Sequence, residues 1–134
     1  MRVLAALLAC AGALAAAGCG VKAGDLFALT RTDPATGSKV QMVLDEEGGL
    51  TCDGGKLVKI SDAQLVQARG IQEELKGEAS SGADLPPRAG SVYTYVLRDE
   101  DGTLTFSDNS LRQTTAMRQL QLLTLQMVAL ACPA

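Results

Sequence analysis

VLDEEGGLT at residues 43–51 and VLRDEDGTLT at residues 96–105 decide the fold of this chain. Each stretch has an apolar pair, a turn rich in Asp, Glu and Gly, and a second apolar segment, which is the pattern of a β-hairpin. The two stretches align with one gap. They predict two acidic hairpins in two similar halves of one domain; chance similarity between two acidic turns is the alternative explanation.

Strands extend outward from both hairpins. Residues 33–37 form a turn marked by Pro and Gly between the first two strands. Five segments rich in β-branched, aromatic and other apolar side chains are predicted as strands: residues 26–32, 40–44, 50–52, 91–97 and 103–107.

A helix follows each hairpin. Ser61 and Gln64 form a capping box, which starts the first helix, and Gly77 ends it. Thr114 or Thr115 caps the second helix, which runs to about Ala131 and is apolar enough to be buried. The apolar positions at helical spacing are Leu65, Ala68, Ile71 and Leu75 in the first helix and Leu120, Leu123, Met127 and Leu130 in the second, which Leu122, Leu125 and Val128 widen.

These elements predict one α+β domain over residues 25–134. Its order is hairpin–helix–hairpin–helix, with an antiparallel sheet of about five strands and two helices on one face. The other face of the sheet would be solvated or used for binding.

The first 24 residues indicate export. Arg2 supplies a positive charge, and residues 3–17 carry none and are mostly Ala and Leu, which is typical of a signal peptide. Small residues directly before Cys19 resemble the lipobox of bacterial lipoproteins. That resemblance implies a signal peptide over 1–18, a lipid on Cys19, a tether over 19–24, and attachment to a membrane on its extracytoplasmic side.

Two other cleavage sites remain open. Residues 15–17, all Ala, form an A-x-A site, at which ordinary signal peptidase would release a secreted protein that begins at Gly18. Residues 7–10 also match the lipobox letters, but cleavage before Cys10 would leave an apolar region of about seven residues, the lower limit for a signal.

Cysteine parity favours lipid on Cys19, because that leaves Cys52 and Cys132 as an even pair. An oxidising compartment favours a disulfide between them. Two buried free thiols are the alternative.

Composition excludes several classes of protein. The chain has a net charge of −3 and no Trp, so binding of nucleic acid is not expected. It has no His, the commonest general base and metal ligand. No cofactor, catalytic residue or metal ligand is predicted: Cys52 lacks a neighbouring base, and Leu97 stands where a calcium loop ending at Gly102 would need its first ligand.

Four residues are candidate contacts for a partner protein. Tyr93 and Tyr95 share one face of a strand and would form a contact patch or fill the core. Pro86 and Pro87 lie in a loop predicted over residues 77–90, which would either contact a partner or only connect two elements.

From Asp25 onward the chain resembles small bacterial lipoproteins and exported proteins of unknown function. The resemblance rests on DLFALTRT at 25–32, DGG at 53–55, SDAQL at 61–65 and the late cysteine. The order of hairpins and helices also resembles emfourin-type inhibitors of metallopeptidases. Those show Gly-Gly-Phe after the first strand, where this chain has DPATG at 33–37.

The sequence therefore predicts a membrane-anchored module that binds a protein of the cell envelope and is not an enzyme. The alternatives are a peptidase inhibitor of the emfourin type, an envelope enzyme that uses carboxylates, and a carrier of a small apolar ligand.

Overall fold

The computed structural model describes residues 21–132 and places them in six strands and three helices. In chain order the elements are β1 (Asp25–Thr32), β2 (Lys39–Asp45), β3 (Gly49–Cys52), β4 (Val58–Lys59), α1 (Asp62–Glu74), α2 (Lys76–Ser80), β5 (Thr94–Arg98), β6 (Thr103–Ser107) and α3 (Thr115–Ala131). The strands form one open antiparallel sheet in the order β4-β3-β2-β1-β5-β6.

The predicted α+β class and antiparallel sheet are confirmed, but the count of five strands and two helices is wrong. The structure adds β4, which has two residues and is too short to leave a pattern in the sequence. It also adds α2 inside the segment predicted as a loop. This short helix forms despite its Gly and Ser because Ala79 is buried and Ser80 donates a hydrogen bond to the Lys76 carbonyl.

The first strand lies at the centre of the sheet. β1 pairs with β2 on one side and with β5 on the other. The two acidic stretches form the hairpins β2–β3 and β5–β6, so one hairpin flanks each side of β1, and a long helix follows each of them. Ser61 and Gln64 form the predicted capping box of α1, and the Thr114 hydroxyl caps α3 by accepting from the Met117 amide.

The core occupies one face of the sheet, beneath the helices. Burial alternates along the strands, because successive side chains point to opposite faces. The buried apolar residues include Phe27, Leu29, Met42, Leu44, Leu50, Leu97, Leu104 and Phe106 from the sheet and Ala68, Ile71, Leu75, Met117, Leu120, Leu123 and Met127 from the helices. The predicted burial of α3 holds for the side that faces the sheet, whereas Leu122, Leu125 and Leu130 are exposed on its outer side.

A disulfide joins the two halves of the domain. Cys52 ends β3 and Cys132 follows α3, and their Cα atoms are 5.3 Å apart in the bridge. Cys52 is 4% exposed and belongs to the core. The predicted pairing of Cys52 with Cys132 is therefore present, and it fixes the end of α3 to the far side of the sheet from β6.

Both edges of the sheet are covered or short. On the β6 edge, Thr105 accepts a hydrogen bond from the Leu85 amide and donates one to the Ala83 carbonyl, each at 2.9 Å. Asp84 thereby forms a parallel bridge to Thr105. On the opposite edge, β4 is only two residues long, and the second of them is Lys59.

Candidate functional site

The sheet has two ends with different roles. Asp25 begins β1 opposite Asp45, so the chain enters the domain at what we call the tether end. Thr32 ends β1 beside Thr94, which pairs with Ser107, and this row forms the distal end. Seven residue steps separate Asp25 from Thr32, which is about 23 Å at the rise of a β-strand.

Two loops meet at the distal end. Residues 85–88 follow the segment that covers β6, and residues 109–112 follow β6 itself. We call these two ranges together the distal loop surface. They include the predicted contact residues Pro86 and Pro87, both of which are exposed.

Asn109 holds the first loop from inside. Its side-chain amide nitrogen donates to the carbonyls of Arg88 and Ala89, each at 3.2 Å. Its side-chain oxygen accepts from the Arg88 amide at 3.0 Å. The Asn109 side chain thus bonds to one backbone N–H group and two backbone carbonyls of the loop, as side chains do in Asx turns.

Ser110 holds the same loop at its start. The hydroxyl donates to the carbonyls of Leu85, at 3.0 Å, and Pro86, at 2.9 Å, and it accepts from the Ser107 amide. Ser110 is 6% exposed. A buried hydroxyl with these partners stabilises one conformation, because loss of any partner would leave a polar group unpaired.

The backbone of residues 85–88 has few free hydrogen-bonding groups. The amides of Leu85 and Arg88 are bonded to Thr105 and Asn109, and the two prolines have no N–H. Within residues 21–132, the Pro87 carbonyl is the one in this segment without a donor. The loop is therefore rigid, and it presents side chains rather than backbone donors.

The base of the second loop is equally constrained. The side-chain amide nitrogen of Gln113 donates to the carbonyls of Ser107, Asp108 and Ser110 at 2.8–3.2 Å. The Asp108 carboxylate accepts from the Ser91 hydroxyl and from the Val92 and Tyr93 amides. Residues 107–113 thus connect four parts of the domain: β6, residues 85–88 (the proline loop), residues 91–93 before β5, and α3.

A cavity of about 350 Å³ lies between the two loops. Its lining consists of Asp84, Leu85, Pro86, Pro87, Arg88, Leu111 and Arg112. The Leu111 side chain is 65% exposed, so it adds solvent-accessible apolar surface to this cavity. The cavity therefore combines apolar walls with two guanidinium groups.

Arg112 has an unfavourable backbone conformation. Its φ of 64° lies in the left-handed region, which costs an L-residue with a side chain about 1–2 kcal/mol. Neither the Arg88 nor the Arg112 guanidinium makes a hydrogen bond or ion pair within the part of the chain that the structure describes. Arg88 and Arg112 are both exposed, so a ligand can reach both guanidinium groups.

A second groove, of about 410 Å³, lies on the open face of the sheet near the tether end. Its lining includes Lys22, Asp25, Thr30, Gln41, Asp45 and Arg98. Asp45 is already engaged, since one carboxylate oxygen accepts from the amides of Glu47 and Gly49. The groove combines these charged and polar groups with the apolar side chains of Ala28, Val43 and Leu57, and it adjoins the point where the chain enters the domain.

The four predicted contact residues differ in their exposure to solvent. Tyr95 is 3% exposed and stacks on Phe106, with ring centroids 5.2 Å apart, so the core-filling alternative describes it and the contact patch does not. Tyr93 is half-buried, and the Arg31 guanidinium lies 4.4 Å from its ring centroid. Burial raises the pKa of Tyr95, while the nearby positive charge of Arg31 opposes that rise.

The acidic turn before β6 contains one unpaired buried atom. One Asp99 oxygen accepts from the amides of Asp101 and Gly102, and the other is buried without a partner. In residues 21–132, no group of three His, Cys, Asp or Glu side chains is arranged to hold a metal ion. The two described cysteines are joined to each other, so neither is a free thiol.

Sequence patterns could not reveal Asn109, Ser110, Leu111 and Arg112 as part of this site. Asp-Asn-Ser between a strand and a helix indicates a turn, but not that its side chains hold a loop more than twenty residues earlier. Cys19 lies outside the described residues. Among those residues, no helix has the length and apolar character that crossing a bilayer requires.

Comparison with known proteins yields no relative. No model of a protein family matches the chain, and no curated protein is significantly similar to it. No family assignment therefore bears on the function of this chain.

Proposed function

We propose that this protein is an extracytoplasmic lipoprotein, anchored through Cys19, that binds another envelope protein through the distal loop surface. The observation that carries the proposal is a rigid, exposed proline loop at the end of the sheet opposite the tether. A short tether leaves Asp25 near the bilayer, and the strand length then holds the loop about 23 Å farther out.

Rigidity of the loop supports binding. Association costs free energy for each segment that must become ordered, so a loop that is already fixed retains more of its contact energy. Asn109 and Ser110 supply that order from inside the domain and leave Pro86, Pro87 and Leu111 exposed.

The anchor is tested by an intact-mass spectrum of the protein from a membrane fraction. We expect an N-terminus at Cys19 that carries a diacylglycerol group. A protein in the culture medium with an unmodified N-terminus at Gly18 would contradict the anchor.

The interaction is tested by placing the photo-cross-linker p-benzoylphenylalanine at Leu111 in living cells. The matched control is the same substitution at Val66, whose side chain is 68% exposed but lies on α1. We expect a discrete protein adduct from position 111 and none from position 66. Equal or absent adducts at both positions would contradict a distal interaction surface.

The internal bonds are tested in the same cross-linking cells. Asn109→Ala removes the three hydrogen bonds to the loop and leaves every exposed side chain in place, so we expect the adduct to fall about tenfold. Gln126→Ala, which removes a hydrogen bond to Gln64 between the two long helices, is the control and should leave the adduct unchanged.

A peptidase inhibitor is the second candidate, and the same fixed proline loop favours it. A loop that cannot adapt its backbone is a poor substrate, yet it can fill a cleft. We expect the protein to inhibit a zinc metallopeptidase at micromolar concentration without cleavage between residues 85 and 88. Rapid cleavage there, or unchanged peptidase activity, would exclude this candidate.

A further inference from the structure

We infer that the segment bound by the distal loop surface is acidic and aliphatic, with a carboxylate that pairs with Arg88 and Arg112 beside an apolar side chain on Leu111 and the prolines. This inference rests on the proposed function and specifies the partner's chemistry. It concerns a protein segment rather than a lipid head group or a free phosphate.

The charge of the distal cavity favours an acidic partner. The chain as a whole is acidic, with a net charge of −3. The distal cavity has the opposite balance, since two guanidinium groups face the single carboxylate of Asp84. Arginine binds carboxylates through two parallel hydrogen bonds, and neither guanidinium has a partner within residues 21–132, so the pair suits an acidic side chain.

The walls of the cavity favour an aliphatic side chain beside the carboxylate. Leu85, Pro86, Pro87 and Leu111 contribute apolar surface, which a phosphate or a sugar ring would leave without a partner. Protein interfaces combine apolar contact with arginine in this way. An occupant with an aliphatic side chain next to its carboxylate satisfies both parts of the lining.

The backbone hydrogen bonds of residues 85–88 favour a polypeptide over a small anion. Phosphate sites in proteins commonly use several backbone N–H groups, but the amides of Leu85 and Arg88 are already bonded and the residues between them are prolines. The Pro87 carbonyl, by contrast, is free to accept a bond from a peptide N–H. Residues 85–88 thus suit an extended polypeptide better than a small anion.

The experiment starts from the cross-linker at Leu111 in the full protein in cells. Mass spectrometry identifies the cross-linked segment, and we expect Asp or Glu within a few residues of the cross-linked position. The variant Arg88→Gln/Arg112→Gln should reduce the adduct about a hundredfold, or tenfold for each arginine. Arg98→Gln, which changes an exposed arginine in the groove at the tether end, should leave it unchanged.

The identified segment is then synthesised and its affinity for the detergent-purified protein is measured by fluorescence anisotropy. We expect the peptide to bind at least ten times more tightly than the same peptide with Gln and Asn in place of Glu and Asp. The affinity should also fall as salt rises from 0.05 to about 0.5 M, because salt screens exposed ion pairs.

Three outcomes overturn the inference. A protein adduct that survives the double arginine variant, or a segment without carboxylates, refutes the acidic partner but leaves the proposed interaction module intact. Adducts with lipid, or binding to vesicles with anionic lipids that depends on Arg88 and Arg112, assign the surface to the membrane instead. Absence of any adduct at Leu111 contradicts the proposed function itself.

Discussion

Removal of the Cys52–Cys132 bridge should destabilise the domain about as much as the most severe single core truncations. The bridge closes a loop across a sequence separation of 80 residues. In the chain-entropy model, a loop of that length restricts the unfolded chain by about 4.5 kcal/mol at 25 °C. Most domains of this size have a total unfolding free energy of about 5–15 kcal/mol, so Cys52→Ala/Cys132→Ala should lose a large share of it.

The assay is equilibrium unfolding in urea, followed by far-UV circular dichroism because the chain has no Trp. We expect the midpoint of the double variant to fall, and its melting temperature to drop by about 20 °C. Dithiothreitol should shift the wild-type protein to the same values and leave the variant unaffected. The amide of Cys132, which bonds to the Val128 carbonyl at 3.0 Å, should exchange with solvent faster once the bridge is absent.

A loss below about 1 kcal/mol would refute this reasoning, since it would mean that the unfolded chain is already compact without the bridge. A wild-type protein that is indifferent to the reductant, yet releases two thiols, would refute it in the same way.

Four further substitutions give separate tests. Gly102→Ala places a Cβ against the Ala79 carbonyl at a φ of 153°, so urea unfolding should show a loss of about 2–4 kcal/mol; Gly70→Ala, which has open space in α1, should instead gain about 0.5–1 kcal/mol. Tyr95 has a pKa raised above 10.0, so the folded state keeps its proton where the unfolded chain loses it. Stability from this group is complete below pH 10 and lost as pH rises through the raised pKa; Tyr95→Phe should therefore flatten the fall in melting temperature above about pH 10, and an unchanged slope would rule this out. Arg112→Gly relieves a φ of 64°, and after the entropy of glycine is subtracted the melting curve should show a gain of about 0.5 kcal/mol. A loss for Arg112→Gly would mean that the side chain supports the fold.

Local signals in the sequence predicted much of the fold. The capping box at Ser61, the cap at Thr114 and the two acidic hairpins depend on residues close in sequence, and each is present in the structure. The pairing of Cys52 with Cys132 followed from parity rather than geometry.

Features that depend on distant residues were missed. β4 forms because Leu50 and Gly49 offer a pairing edge, and its own two residues show no pattern. For Tyr95 the sequence left a contact patch and core filling open, and core filling holds because the ring stacks on Phe106 of the neighbouring strand. The order of the proline loop comes from Asn109, twenty-one residues after Arg88, so the sequence indicated the loop but not its rigidity.

The covering of the β6 edge by Ala83–Leu85 has a consequence for proteins crowded on a surface. A lipid anchor would confine copies to two dimensions, where free strand edges meet often and can join into a continuous sheet. Here one edge has its Thr105 backbone groups already bonded, and the other offers only the two residues of β4, one of which is Lys59. Neighbouring copies should therefore stay separate even at high surface density, without association into fibrils.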